Sequence, residues 1–217
     1  MTQEQYIAQN ASGFEGDTFL KEKVKSIVEK MGINCIIETG TYYGATTKQF
    51  LEMVPEVHTI EIVRENFLKA IGTIERYIGF ETSDNNLKEL VIYQKAGKTI
   101  ALHEASSPDV LPAIIQETKN KRCLFFLDAH WQDYCPLLDE LKLIADSGIE
   151  PVIVIHDFKV PNCPELGFDS YKGQDYTFEW IQPAIEKIYQ DGYNYFYNTE
   201  GSSGAKRGVI FIYPGHE

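Results

Sequence analysis

Five short apolar runs recur along this 217-residue chain, and each closes on an acid or another polar group. They lie at about 34 to 38, 57 to 62, 99 to 104, 122 to 128 and 151 to 157, and the closing residues are Glu38, Glu61, Glu104, Asp128 and the pair His156-Asp157. Runs that are apolar throughout, without alternation, read as strands covered on both faces. The segments between them carry helical spacing. Phe19, Leu20, Val24, Ile27, Val28 and Met31 mark a helix over 17 to 31, and further helices are expected over 44 to 54, 63 to 79, 136 to 147 and 175 to 191. Another starts near Ser106-Ser107-Pro108, where a serine cap precedes a proline. Strands alternating with helices imply an α/β fold around a parallel sheet. Two last strands, 193 to 198 and 208 to 213, flank Gly201-Ser202-Ser203-Gly204 as a hairpin, so one strand must run antiparallel. Residues 80 to 98 read as an insertion with room for a short helix, and 159 to 175 as a long loop.

In a parallel sheet all five polar strand ends fall on one edge. Carboxylates gathered there repel one another unless a counter-charge or ligand sits among them. The first end is the most specific. Glu38-Thr39-Gly40-Thr41-Tyr42-Tyr43-Gly44 reads as a strand entering a tight loop and then a helix. Glycines let the backbone approach a ligand, and the crevice past such a strand end is where nucleotides bind in open α/β sheets. The spacing is E-x-G-x-x-x-G, not the dinucleotide G-x-G-x-x-G. An acid beside the glycines disfavours phosphate and favours a cationic or hydroxyl-bearing ligand.

Composition narrows the function further. With 43% hydrophobic and 24% charged residues the chain is globular in type, and its net charge of -12 makes it a poor nucleic-acid binder. No apolar run approaches a membrane span. Met1 to Phe14 lacks an apolar signal core, so a cytoplasmic location is expected. The whole of 1–217 reads as a single domain, with an N-terminal helical segment at 1–33 and a core at 34–217. Cys35 and Cys123 lie inside apolar runs and read as small buried hydrophobes in a reducing compartment.

Glu61, 17 residues after Gly44, stands where an acid accepts the two hydroxyls of a ribose, the reading the upstream glycine loop favours; an acidic helix cap or a solvated strand end is the alternative. Glu104-Ala105-Ser106 either faces an adenine or simply starts a helix. Asp128, His156 and Asp157 have the donor types for a divalent cation, Mg²⁺ or Mn²⁺ foremost, or else bind a ligand directly. His130 is a candidate general base, with Asp133 nearby, and Trp131, Tyr134 and Tyr171 are candidate walls of an acceptor pocket. A zinc set of His130, Cys135, His156 and Cys163 is also conceivable, although its spacings contain no compact ligand pair.

These motifs, Glu38 to Gly44, Glu61, Leu127-Asp128-Ala129-His130-Trp131 and Ile155-His156-Asp157-Phe158, resemble the successive motifs of class I S-adenosylmethionine-dependent methyltransferases over about 19 to 214. The last two resemble the metal-dependent small-molecule O-methyltransferase branch that includes the macrolide-sugar enzymes. The resemblance implies a Rossmann-like, doubly wound, mostly parallel seven-stranded sheet with one antiparallel strand and helices on both faces. It implies methyl transfer from S-adenosylmethionine to a hydroxyl of a sugar or other small molecule. Glu38, Gly40 and Gly44, with Thr41 and Tyr43 of the same loop, would line the methionine end of the cofactor. Glu61 would take the ribose, Glu104, Ala105 and Ser106 would flank the adenine, and Asp128 would touch both cofactor and acceptor. Asp128, His156 and Asp157 would hold Mg²⁺ or Mn²⁺, with His156 departing from the usual Asp, and His130 or His156 would take the acceptor's proton. The expected partner is a small molecule, with no nucleic acid and no membrane, and a homo-oligomer is left open. A nicotinamide-dependent oxidoreductase and a non-catalytic S-adenosylmethionine- or nucleotide-binding domain are the alternatives.

Overall fold

The computed structural model describes residues 12–79, 89–130, 134–198 and 206–215. A 3-10 turn at Phe14–Gly16 leads into α1 (Thr18–Met31). The Asp17 side chain accepts from the Leu20 amide, and Gly32 ends the helix in the left-handed region, as its sequence signals require. There follow β1 (Cys35–Thr39), α2 (Ala45–Met53), β2 (Glu56–Glu61), α3 (Arg64–Ile78), β3 (Leu90–Lys95) and β4 (Lys98–Glu104). Next come α4 (Ser107–Thr118), β5 (Cys123–Leu127), α5 (Leu137–Ser147) and β6 (Val152–Ile155). The chain closes with a small β7 (Ser170–Tyr171) and β8 (Gln174–Asp175), then α6 (Phe178–Ile188), β9 (Tyr193–Tyr197) and β10 (Ile210–Pro214).

The main sheet has the order β3-β4-β2-β1-β5-β6-β10-β9. Its centre, β4-β2-β1-β5-β6, is parallel throughout. Two separate cores cover its faces. Phe14, Val24, Phe50 and Phe67 build one beneath α1, α2 and α3, and Leu111, Ile114, Leu141 and Ile181 build the other beneath α4, α5 and α6. Both faces are therefore dry, which is why the central strands read as unbroken apolar runs.

The sheet differs from expectation in having eight strands, not seven, and in having two that run against the rest, β3 and β10. The extra strand lies in the expected insertion. Leu90–Lys95 turns through Ala96 and Gly97, both at positive φ, and pairs back onto β4. Positive φ at both central residues is the turn whose twist suits a two-residue hairpin. A second such turn, Lys172-Gly173, folds part of the expected long loop into the β7–β8 hairpin. Among the described residues no helix is long and apolar enough to cross a membrane.

Candidate active site

The loop after β1 is pinned over the end of β2, because the Gly40 and Thr41 amides both donate to the Ile60 carbonyl. Gly40 has φ +86, and a Cβ there would stand 2.6 Å from the Asp128 carbonyl oxygen. Only glycine lets the β1 and β5 ends meet this closely. Tyr42 follows at φ 51, and its amide donates to Glu61 Oε2 at 2.7 Å while the Val63 amide donates to Oε1 at 2.8 Å. Glu61 is thus a buried brace for two loops. Burial raises its pKa, and those amides oppose the rise.

Above this edge lies a cleft of about 380 Å³, within the size range of small-molecule sites. Of the residues expected to meet a cofactor, Gly40, Thr41, Tyr43, Glu61, Ala105, Ser106 and Asp128 line it. Glu38, Gly44 and Glu104 do not. Glu38 is 1% exposed, and its Oε2 accepts from the hydroxyls of Thr47 (2.5 Å) and Thr59 (2.6 Å). Burial pushes its pKa up to about 8, although those hydroxyls lower it. Gly44 caps α2 and faces Ala70 of α3. The Glu104 carboxylate pairs with Arg64. Ser106 makes no capping hydrogen bond with its side chain, and the Ser107 hydroxyl donates to the buried Glu140, whose pKa burial raises to about 7.

At the β5 and β6 ends the three expected metal-binding residues do come together. His156 Nδ1 lies 3.2 Å from Asp128 Oδ1 and 3.3 Å from Asp157 Oδ1, yet it is buried and makes no hydrogen bond. Burial works against charging His156, but the two carboxylates overcome it and hold its pKa well above the usual imidazole value. Asp128 and Asp157 face the cleft, whereas His156 sits behind them and does not line it. His130 lines the cleft, and its ring lies 6.2 Å from that of Tyr171. Tyr134 also lines the cleft, while Trp131 and Asp133 lie outside the described residues. Among the described residues, the zinc set of His130, Cys135, His156 and Cys163 is not assembled, and the Cys135 thiol instead meets the Tyr176 hydroxyl at 2.5 Å.

Two residues near the cleft escape sequence reasoning. Arg207 reaches across from the approach to β10 and pairs through Nε with Asp157 and through its terminal nitrogen with Asp169. Burial would raise the Asp157 pKa, but His156 and Arg207 hold it well below the usual carboxylate range. Glu15 also lines the cleft, at φ 50, carried there by Phe14, whose ring packs edge-on against Phe50 and Phe126. The flanking Gly13 and Gly16 were the available signal for that turn.

No protein-family profile matches the sequence, and no curated protein matches it. Solved structures do match. An O-methyltransferase from Bacillus cereus in complex with SAH is 19% identical with a TM-score of 0.57, over 97% of this chain and 87% of that one. The O-methyltransferase TomG from Streptomyces achromogenes, involved in tomaymycin synthesis and in complex with SAM, is 15% identical with a TM-score of 0.55, over 90% and 79%. Trm1 from Pyrococcus horikoshii with S-adenosyl-L-methionine is 11% identical with a TM-score of 0.58; the match covers 90% of this chain but only 54% of Trm1. The fold, a mainly parallel sheet between helical layers, is the one these three proteins share.

Proposed function

We propose that the chain is an S-adenosylmethionine-dependent methyltransferase acting on a hydroxyl of a small molecule. The observation that carries this reading is the cleft itself, which sets Glu61 and Ala105-Ser106 beside Asp128 and Asp157 around one Gly40 loop. Its chemistry fits the cofactor. Carboxylates suit a sulfonium, and the Glu61 carboxylate, an acceptor that lines the cleft, is a natural partner for the hydroxyls of a ribose. When bound, the cofactor supplies an electrophilic methyl group for direct displacement.

The chain's own residues then align and deprotonate the acceptor. Alignment is the main contribution a protein makes to such a displacement. His130, exposed in the cleft and with donor atoms of Asp157 and Asp169 within 4.8 Å of its own, is placed to take the hydroxyl proton. His156 acts through Asp128 and Asp157, fixing both carboxylates toward the cleft. The donor set also fits a divalent ion, because the buried Nδ1 of His156 has no hydrogen-bond partner between two acids. Asp128, His156 and Asp157 would hold Mg²⁺ or Mn²⁺, the imidazole favouring Mn²⁺, and the ion would acidify a coordinated hydroxyl.

Titration calorimetry tests the reading. S-adenosylmethionine is expected to bind in the micromolar range while NAD does not, and Mn²⁺ is expected to bind more weakly to Asp128→Asn. Absence of S-adenosylmethionine binding with and without Mn²⁺ would remove the methyltransferase assignment.

A further inference from the structure

The opposite edge of the sheet, where the parallel strands begin, holds a second cluster that the cleft chemistry does not use. Cys35, Glu56 and Cys123 open β1, β2 and β5 and lie in one register row, with Cys35 directly between the other two. His58, two residues along β2, shares the face of Glu56. Donor atoms of Cys35, Glu56 and His58 all lie within 4.8 Å of one another. Cys35 and Cys123 are neighbours across β1 and β5, and the Cys123 thiol donates to the Thr118 carbonyl at 3.6 Å. Cys35, His58 and Cys123 are buried beneath α4, where apolar side chains would pack without cost to solvation.

We propose that Cys35, Cys123, Glu56 and His58 form a structural Zn²⁺ site. Two sulfurs, an imidazole and a carboxylate are a tetrahedral zinc donor set. At zinc bond lengths the ligand atoms of a tetrahedron are about 3.3–3.8 Å apart, so the donors of Cys35, Glu56 and His58, all within 4.8 Å of one another, need close in by only about an ångström, and Cys123, the register neighbour of Cys35, would turn in as the fourth ligand. Glu56 Oε1 already faces His58 Nε2 at 3.0 Å, and the ion would sit between them. The other ring nitrogen, Nδ1, lies 3.4 Å from His103 Nε2, the outer partner that orients a ligating histidine. On binding, each thiol loses its proton to solvent. Two thiolates and one carboxylate then exceed the charge of the ion by a single negative charge, and the Lys121 ammonium, paired with Glu56 Oε2, offsets it. Lys121 and Cys123 also line a surface cavity of about 320 Å³, which gives the ion a way in.

The test uses the reduced, chelator-treated full chain and Co²⁺ as a spectroscopic substitute for Zn²⁺. One equivalent is expected to give a thiolate-to-cobalt charge-transfer band with tetrahedral d–d bands, and Zn²⁺ is expected to abolish both. The band should persist in Cys135→Ser/Cys163→Ser and in Asp128→Asn, and disappear in Cys35→Ser/Cys123→Ser. Affinity should fall at least about tenfold in His58→Gln. Absence of the band in the unaltered chain would overturn the proposal. So would its loss when Cys135 and Cys163 are replaced, an arm that leaves the buried cluster intact and holds even if the core double variant fails to fold.

Discussion

Glu38 and Glu56, at opposite edges of the sheet, are held in opposite ways. At the carboxyl edge, Glu38 is sealed among hydroxyls, and burial raises its pKa to about 8. At the amino edge burial also acts on Glu56, but Lys121 and His58 overcome it and lower the pKa. The carboxyl edge carries backbone strain as well, with Glu15, Tyr42 and Asp157 of the cleft all at positive φ without being glycine. Such conformations persist where surrounding structure holds them, and they gather at ligand sites. One edge therefore carries strained backbone around an open cleft, whereas the other keeps its carboxylate paired with the cation beside it.

This contrast is broken most strongly through pH. A folded-state pKa above the unfolded one means the native protein keeps a proton that the unfolded chain has released. Glu38 therefore stabilises fully below about pH 4.5, and that contribution is lost as pH rises toward about 8. The shift corresponds to something on the order of 5 kcal/mol across that window. Glu140, raised to about 7, acts in the same sense. Urea midpoints measured from pH 4 to 9 should fall less steeply for Glu38→Gln than for the unaltered chain. Parallel profiles would show that the carboxyl is ionised in the native state.

Gly40→Ala comes next. The new methyl group would meet the Asp128 carbonyl in a conformation that L-residues disfavour. Left-handed strain of about 1–2 kcal/mol and overpacking of about 1–3 kcal/mol add to a loss of roughly 3 kcal/mol. A thermal melt that shifts by no more than a degree would mean that the β1 and β5 ends can separate freely.

The chain's sequence made the central sheet legible because β1, β2, β5 and β6 are buried on both faces and read as plain apolar runs. The edge strand β3 was hidden for the converse reason. Leu90-Val91-Ile92-Tyr93 is a short apolar run that suits a helix as well as a strand, and only Tyr93 of the six residues is buried, so no core face marks it as a strand. Strand-end acids were visible, but their directions were not. The pleat sends Glu38 to the face shared with Ile36 and α2, whereas the loop geometry after β2 turns Glu61 toward the cleft. Arg207 meets Asp157 across 50 residues, and Cys35 meets Cys123 only through strand register. No local spacing encodes either meeting.

The smallest effects should separate two acids in one register row, since Glu61 and Glu104 are direct partners across β2 and β4. Glu61 faces the cleft, and Glu61→Gln replaces one acceptor oxygen with a donor. Loss of a hydrogen bond to a charged group, about 1.5–3 kcal/mol, is expected to weaken S-adenosylmethionine binding roughly 10- to 100-fold. Glu104 instead spends its carboxylate on Arg64, a half-exposed side chain outside the cleft lining. Exposed pairs contribute little, so Glu104→Gln is expected to change the same affinity by less than about twofold. Calorimetry on the two variants compares them directly. Equal losses would mean that Glu104 swings into the cleft when the ligand binds, and that the acid row acts as one surface.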